Sequence, residues 1–321
     1  MMRSLCFAIA LATALLCTLA SADQPTLIPR IGVFSSSPFL TADEGLRDGL
    51  RELGYLEGKN IDIEWRRSLG TEEELRSVAS ELAQARVGLI VVFSTLGARA
   101  ALQATTVPVV FLAGDPVAAG LATSLAQPGG RGTGVSMLNS QLIGKRMEVL
   151  RQVAPRIRRI IFLMDPSNPL NARVLEEAHK AARTLGVEVE TLGARNADEL
   201  DKALHAMARS ANDGVLIGND LLLLANKAKV TRAVRKAKLP AIFPFKEYHD
   251  DGALMSYGPN VREAARKVAI YVDKILRGAN PSDLPIEQMS KHELIIDLRV
   301  ARAMGIHVPQ GLLQRADEVM K

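Results

Sequence analysis

The sequence contains few cysteines and few aromatic residues. Among its 321 residues only Cys6 and Cys17 are cysteine, aromatic residues make up 4%, and there is a single tryptophan, Trp65. A thiol nucleophile would have to come from the extreme N-terminus, so the rest of the chain is not predicted to use thiol catalysis. The shortage of tryptophan and tyrosine counts against a sugar ligand, because sugar rings stack on these side chains.

Only the N-terminus has the composition of a segment that enters a membrane. Residues 1–22 combine a basic residue, Arg3, with an apolar stretch from Leu5 to Leu19 and the small residues Ala20-Ser21-Ala22. This pattern is typical of a secretory signal peptide, and we expect cleavage before Asp23. The alternative is a membrane anchor, for which the apolar stretch is shorter than the roughly 20 residues that span a bilayer.

Cleavage of this segment would place the remaining chain outside the cytoplasm, in a bacterial periplasm. It would also remove both cysteines, so that the exported protein carries no thiol. Lipidation of Cys17 is disfavoured, because Leu16 stands where a lipoprotein signal has a small residue. Beyond the N-terminus, no segment of the sequence reaches the roughly 18 consecutive apolar residues of a membrane span.

Neither charge nor composition points to a nucleic-acid partner. The formal net charge is +5, and 23% of the residues are charged. Basic residues are scattered among acidic ones on predicted helices, and no basic cluster carries interleaved aromatic residues, so the pattern indicates a solvated surface. Hydrophobic residues make up 48% of a chain long enough for about two domains, which predicts packed cores rather than disorder.

Strands and helices alternate along the chain in two successive halves with short connections. Such alternation predicts βαβ units and a parallel sheet in each half. The first half has predicted strands at 30–34, 60–66, 88–93 and 107–112 and predicted helices at 41–53, 72–85 and 97–104. The second half has predicted strands at 159–164, 187–192, 214–218 and 239–243 and predicted helices at 172–185, 197–210 and 224–237.

The two halves also match in the positions of their turn residues. Gly54 and Gly186 each follow the first helix of their half, Pro108 and Pro240 each stand in its last strand, and both pairs have the same spacing. We therefore predict an α/β fold of two similar, doubly wound parallel-sheet lobes with an interlobe cleft. The predicted boundaries are 29–138 for the first lobe, 139–259 for the second, and 260–321 for a tail shared between them, part of which crosses back to the first lobe.

The predicted elements around this tail are less regular than those of the lobes. They are strands at 253–256 and 293–297, an extended piece at 284–288, and helices at 261–276, 299–304 and 309–320.

Polar residues follow several of the predicted strands. Ligands of open parallel sheets bind beyond the carboxyl ends of the strands, where the N–H groups of helix N-termini accommodate carboxylates. We expect Ser and Thr hydroxyls to bind a carboxylate there, and Asp115 or Asp220 to pair with an ammonium group. The predicted ligand-binding residues are Ser35, Ser36, Ser37, Ser94, Thr95, Asp115, Asn168, Asp220, Phe245 and Tyr257.

Each of these predictions has a purely structural alternative. Ser, Asp and Asn are also the preferred N-caps of helices, so any one of them is explained without a ligand. Phe245 is equally compatible with a place in the core. Binding is favoured by the convergence of several polar loops on the facing edges of two lobes.

The sequence carries no motif of an enzyme or of a bound cofactor. Its five histidines are dispersed without a metal-ligand spacing, and it has no Gly-x-Ser-x-Gly nucleophile motif. The glycine-rich segment Gly129–Gly134 is similar in composition to a phosphate-binding loop, but it precedes a strand-like segment instead of following a strand and opening a helix. We therefore expect no catalytic residues, no metal and no cofactor.

Six segments, spread in order over the chain, carry a family signature. They are Gly49-Leu-Arg-Glu-Leu-Gly-Tyr-Leu-Glu-Gly-Lys-Asn60, Gly114-Asp-Pro-Val117, Gly144-Lys-Arg146, Leu254-Met-Ser-Tyr-Gly-Pro-Asn260, Tyr271-Val-Asp-Lys-Ile-Leu276 and Arg315-Ala-Asp-Glu318. Together they resemble a large bacterial family of ABC transporter substrate-binding proteins, which is similar to type I periplasmic binding proteins. The resemblance implies two α/β lobes that close around a solute and deliver it to an ABC permease at the inner membrane. Some relatives bind aromatic or branched-chain amino acids.

The resemblance also implies which loops form the cleft. Many relatives have Gly-Thr-Pro-Ala in the loop after the third strand, where this chain has Ser94-Thr-Leu-Gly97. The expected protein is a monomeric periplasmic receptor for an amino acid or a related small carboxylate. The alternatives are a periplasmic sensor that presents its ligand to a membrane receptor, and an exported hydrolase, for which the motifs are missing. The cleft positions that match the family are Ser35–Ser37, Ser94-Thr95, Asp115, Asn168, Asp220 and Tyr257.

Overall fold

The computed structural model describes residues 28–35, 40–68, 72–168, 170–210 and 213–321. The predicted signal peptide at 1–22 and the predicted site residues Ser36 and Ser37 lie outside the described residues. Within those ranges, no helix has both the length and the apolar character that a membrane crossing needs.

The first lobe is built on a parallel sheet whose two central strands, Leu89–Val92 and Val109–Ala113, are apolar along their whole length. Leu89–Val92, for example, is buried at every position, as in sheets that are covered by helices on both faces. The strand order is β2-β1-β3-β4-β5. The elements are β1 (Arg30–Ser35), α1 (Leu40–Glu52), β2 (Asp62–Arg67), α2 (Glu72–Gln84), β3 (Leu89–Val92), α3 (Thr95–Ala104), β4 (Val109–Ala113) and β5 (Gly132–Ser136).

The second lobe repeats this architecture with strand order β7-β6-β8-β9-β10. Two of its helices, α7 and α8, meet at Asn226. A 3₁₀ helix at Lys246–Asp251 follows its fourth strand. The elements are α4 (Asn139–Val153), β6 (Arg159–Met164), α5 (Asn171–Leu185), β7 (Glu188–Gly193), α6 (Ala197–Met207), β8 (Gly214–Ile217), α7 (Leu221–Ala225), α8 (Lys227–Lys236), β9 (Ala241–Phe243) and β10 (Met255–Pro259).

The C-terminal part of the chain returns to the first lobe and then to the second. Helix α9 packs along α1, β11 pairs in parallel with β5, and β12 pairs antiparallel with β10. The last strand, β13, pairs in parallel with β12. The elements are α9 (Val261–Leu276), β11 (Glu287–Gln288), β12 (His292–Asp297), α10 (Leu298–Met304), α11 (Gln310–Leu313) and β13 (Glu318–Met320).

The contact between α1 and α9 depends on two glycines of α1, Gly45 and Gly49. A Cβ on Gly49 would stand 2.5 Å from the carbonyl oxygen of Arg266 and 2.8 Å from the Cβ of Ala269. A Cβ on Gly45 would clash with the carbonyl oxygen of Arg262. The two helix backbones therefore approach each other more closely than a side chain at either position allows.

The architecture confirms the predicted α/β fold of two parallel-sheet lobes, while three helices differ from the prediction. The predicted helix at 309–320 is wrong: α11 ends at Leu313, and the following segment forms β13 because β12 offers it an open edge. Helix α4 was not among the predicted elements, and the predicted helix at 224–237 is divided at Asn226. The lobe boundaries at 138/139 and 259/260 stay a prediction; β5 belongs to the first sheet and β10 to the second.

Candidate functional site: a cleft between the lobes

The cleft lies where the order of strands reverses in both sheets. In the first lobe the reversal falls between β1 and β3, and in the second between β6 and β8. Loops that leave such a point diverge to opposite faces of the sheet and leave a crevice, which is where open α/β sheets bind ligands. The two crevices face each other across a small cavity of about 50 Å³ that is partly open to solvent. The lining residues are Phe93, Ser94, Thr95, Leu96, Asp165, Asn168, Asn219, Asp220 and Leu221.

The first lobe contributes the N-terminus of α3. Ser94 is its N-cap, and the Ser94 Oγ accepts a hydrogen bond from the Gly97 N–H at 3.0 Å. The Thr95 Oγ1 accepts from the Gly114 N–H at 3.1 Å, which ties the helix to the loop after β4. The first N–H groups of a helix have no partner within it and carry partial positive charge, while the described lining residues of this wall are uncharged. This wall therefore suits an anionic group.

Ser94 also explains why Gly97 stands three residues later. A Cβ on Gly97 would lie 2.7 Å from the Ser94 Oγ and 2.9 Å from Cγ1 of Val92. The capping hydroxyl occupies the space that a methyl group at position 97 would need. Two of the three departures from the Gly-Thr-Pro-Ala pattern, those at positions 94 and 97, are therefore coupled sterically.

The second lobe contributes a buried carboxylate, Asp220. Only 4% of this residue is exposed. It accepts hydrogen bonds from the Asp165 N–H at 2.9 Å and from the side-chain amides of Asn168 and Asn171. Burial raises the pKa of the Asp220 carboxyl from 3.8 to about 6, against the lowering effect of these donors. At neutral pH Asp220 is therefore mainly ionised.

No positive side chain neutralises this wall in the part of the chain that the structure describes. Asp165, also at the cleft, accepts from the N–H and the hydroxyl of Ser167 at 2.8 and 2.6 Å. Neither Asp165 nor Asp220 forms an ion pair with a described lysine or arginine, and no cation is among the groups that shift the pKa of Asp220. The second wall is therefore negative, opposite to the polarity of the first.

The structure brings four predicted residues together at the cleft, Ser94, Thr95, Asn168 and Asp220. Ser35 is the last residue of β1, one of the two strands at the reversal point of the first sheet.

Three other predicted residues lie elsewhere. Asp115 accepts from the Ala118 N–H at 3.1 Å and from the Ser140 Oγ at 2.7 Å, and so connects the first lobe to α4. Phe245 is 1% exposed and belongs to the core. Tyr257 lies in β10, with its ring centroid 6.0 Å from that of His292.

Asn171 does not line the cavity but holds Asp220 in position by hydrogen bonds, and the sequence alone did not identify it. It is the first residue of α5 and only 4% exposed, and its amide also donates to the Asp165 carbonyl at 2.7 Å. The available signal was the spacing Asp165, Asn168, Asn171, which puts a polar group at every third residue of one loop.

A serine–histidine pair in the second lobe does not form a catalytic site. His249 Nε2 lies 3.0 Å from Ser256 Oγ, but both residues are buried and neither lines the cleft. His249 Nδ1 has no hydrogen-bond partner among the described residues, so no carboxylate orients the ring as a triad requires. The described residues also include no group of three or more His, Cys, Asp or Glu side chains arranged to hold a metal ion.

Comparison with known proteins identifies the family. Residues 31–320 match the family described as ABC transporter substrate binding protein. The chain belongs to this family. The family consists of substrate-binding proteins rather than enzymes and is extracytoplasmic, and the resemblance seen in the sequence motifs is confirmed.

Relatives of this substrate-binding protein include proteins with named ligands. It is 26% identical over 267 residues to a tyrosine-binding protein of Clostridioides difficile, covering 83% of this chain and 76% of the relative. It is 24% identical to an ABC domain in complex with L-Trp from Streptococcus pneumonia, with a TM-score of 0.85 over 91% of this chain and 99% of the other.

A third relative is a substrate-binding protein with adhesive properties from Clostridium difficile, in a ligand-free, open structure. It is 24% identical, with a TM-score of 0.64 over 92% of this chain and 100% of the other. At these identities the two structural comparisons show a shared fold, which confirms the predicted type I periplasmic-binding-protein architecture.

Proposed function

We propose that this protein is the solute receptor of an ABC importer and binds a free amino acid in its interlobe cleft. The observation that carries the proposal is the opposite polarity of the two cleft walls. One wall is the positive end of α3, and the other holds the unneutralised carboxylate of Asp220. An α-amino acid carries a carboxylate and an ammonium group on adjacent atoms and so matches both walls at once.

Each group of the ligand has a designated partner in this proposal. The carboxylate binds the N–H groups at the start of α3 and the hydroxyls of Ser94 and Thr95. The ammonium group binds at Asp220, where it supplies the positive charge that neutralises the wall. Charge-assisted hydrogen bonds of this kind contribute roughly 1.5–3 kcal/mol each.

The remaining lining residues select an apolar side chain. Phe93 and Leu96 on the first wall and Leu221 on the second are the apolar residues of the cleft. An aromatic amino acid is the class favoured here, and the tyrosine and L-Trp ligands of two relatives support it.

Lobe closure around the ligand is part of the proposal. This chain superposes better on the L-Trp complex, with a TM-score of 0.85, than on the ligand-free, open structure, with 0.64, although both are 24% identical to it. The difference supports a closed arrangement of the lobes in this structure. Ligand would favour closure by binding the closed state more tightly than the open one. Residues 1–22 direct export to the periplasm, and a permease receives the solute.

A thermal-shift screen of the protein purified from the periplasm of cells expressing the full chain tests this proposal. The panel contains amino acids, sugars and purines. A ligand at about 100 times its Kd stabilises by about 2.7 kcal/mol, which for a chain of this size raises Tm by about 5 °C. We expect such a shift with aromatic amino acids. A shift with sugars alone would overturn the proposal.

A further inference from the structure

Three short segments connect the lobes, and they converge on one end of the second sheet. The first, Met137–Leu138, joins β5 to α4; the second, at Asn260, joins β10 to α9; the third, Met289–Lys291, joins β11 to β12. Any rotation of one lobe against the other has to bend these segments. We call them the hinge segments.

Arg146 lies at the carboxyl end of the second sheet, beside two of these segments. It is on α4 and 1% exposed, and its Nε donates to the Tyr257 carbonyl at 2.8 Å. Its Nη2 is 3.3 Å from the position that a Cβ on Gly258 would take. Tyr257 and Gly258 are separated from the second hinge segment only by Pro259, and the second wall of the cleft is built on the same edge of this sheet.

The third hinge segment also ends beside Tyr257, because His292 follows it directly. His292 is the first residue of β12, and its ring packs on that of Tyr257. Burial and the positive charge of Arg146 lower the pKa of the His292 imidazole. The guanidinium of Arg146 therefore lies among residues that border the second and third hinge segments. The helix that carries it, α4, begins at the first hinge segment.

The charge of Arg146 is not compensated in this arrangement. Its Nη2 is buried without a hydrogen-bond partner among the described residues, and no described carboxylate pairs with it. Burial lowers its pKa to about 10, so it stays protonated at neutral pH. A buried, unpaired charge is unfavourable, and contact with water relieves this cost.

We propose that Arg146 is a positioning residue that holds the ligand-free receptor open. The inference depends on the proposed closure of the lobes. Opening the cleft admits water to the carboxyl edge of the second sheet, where the guanidinium lies, and so favours the open state. Closure buries the charge again, and ligand binding has to supply the free energy that this burial costs. A neutral residue at this position removes that cost, raises the closed population and strengthens apparent binding.

The test compares Arg146→Met, which keeps the apolar length without the charge, with Arg146→Lys, which keeps the charge. Small-angle X-ray scattering of the ligand-free proteins gives the radius of gyration, and calorimetry with L-tyrosine and L-tryptophan gives Kd. We expect R146M to be more compact than wild type without ligand and to bind about 3–10-fold more tightly, while R146K resembles wild type. R183M, which alters an exposed arginine of the same lobe, serves as the matched control and leaves both values unchanged.

Arg146→Gln is measured alongside, since it is neutral and can still donate to the Tyr257 carbonyl. An unchanged radius in both neutral variants, or a larger radius with weaker binding, overturns the inference. Failure of both neutral variants to fold also overturns it, because Arg146 then serves the fold. If the radius of the wild type does not change with any amino acid of the panel, closure itself fails, and this result separates the two proposals.

Discussion

The side-chain amide of Asn171 donates to both oxygens of the Asp220 carboxylate, at 3.0 Å to Oδ1 and 3.2 Å to Oδ2. Asp220 opens α7 and Asn171 opens α5, so this contact fixes two cleft loops to each other. Further donors from Asn168 and the Asp165 N–H hold the carboxylate ionised in a site from which solvent is largely removed. The negative charge is thereby fixed at the cleft wall.

Replacement of Asp220 by Asn tests this charge. D220N removes the negative charge and should weaken binding of an aromatic amino acid about 10–100-fold, the value of one charge-assisted hydrogen bond. Calorimetry measures the change, and a thermal melt verifies that the variant is folded. D198N, at an exposed position of the same lobe, should bind like wild type. Equal affinities of D220N and wild type would remove Asp220 from the site.

Replacement of Ser94 by Asp separates helix capping from ligand binding. Asp is as good an N-cap as Ser, so the unfolding free energy of S94D should stay within about 0.5 kcal/mol of wild type. The new carboxylate stands where the ligand carboxylate binds, so the Kd should rise at least 10-fold. S94A, in contrast, removes the cap and should lower the unfolding free energy by about 1 kcal/mol. Tight binding by S94D would contradict the orientation of ligand proposed here.

Two glycine-to-alanine changes should have opposite effects on the free energy of unfolding, because only one of the two glycines lies at the close approach of α1 and α9. G49A would place a methyl group against the Arg266 carbonyl and should destabilise the protein by about 1–3 kcal/mol. G144A, in α4, meets only the Ala181 Cβ at 3.8 Å and should stabilise by about 0.5–1 kcal/mol through helix propensity. Urea denaturation measures both. A stabilised G49A would show that the helices are farther apart than described.

His249 predicts a loss of stability in acid. Burial lowers the pKa of its imidazole from 6.5 to about 4, so the folded state binds the proton less well than the unfolded state. The stability that this neutral ring provides is present above pH 6.5 and is lost as the pH falls towards 4, in total roughly 3 kcal/mol. Asp220 acts in the opposite sense, because its raised pKa costs stability as the pH rises through about 6.

The contribution of His249 is isolated by comparison with His249→Gln, which can keep the contact with Ser256 Oγ but does not titrate. Denaturant melts at pH 7 and pH 4.5 should show a smaller loss of stability in H249Q than in wild type. The same loss in both proteins would mean that His249 is not the acid-sensitive group.

Local sequence signals predicted most strands of the two sheets and missed the elements that form only by pairing with a segment distant in the chain. Helix 261–276 and strand 159–164 were predicted with the bounds that the structure shows, since apolar spacing and caps define both. Residues 318–320 form a strand only because β12, more than twenty residues earlier in the chain, has a free edge. No local pattern encodes that edge, and the amphipathic spacing of 309–320 favoured a helix instead.

The candidate site was predictable to the level of its loops. The rule that ligands bind at the carboxyl ends of parallel strands led to Ser94, Thr95, Asn168 and Asp220, which meet at one cleft. The same rule cannot tell which loops lie at the strand-order reversal, because strand order is a property of the assembled sheet. Asp115 follows β4 rather than β1 or β3, and it is engaged by Ser140 instead of facing the cleft.

Calorimetry with matched ligand analogues tests the central claim, that the two cleft walls clamp the two charged groups of one amino acid. L-Tryptophan is compared with tryptamine, which lacks the carboxylate, and with indole-3-propionate, which lacks the ammonium group; L-tyrosine is compared with tyramine and with 3-(4-hydroxyphenyl)propionate. The account predicts binding of at least one of the two amino acids and a loss of about 100-fold for each of its analogues, or about 2.7 kcal/mol. An analogue that binds as tightly as its parent amino acid would contradict it.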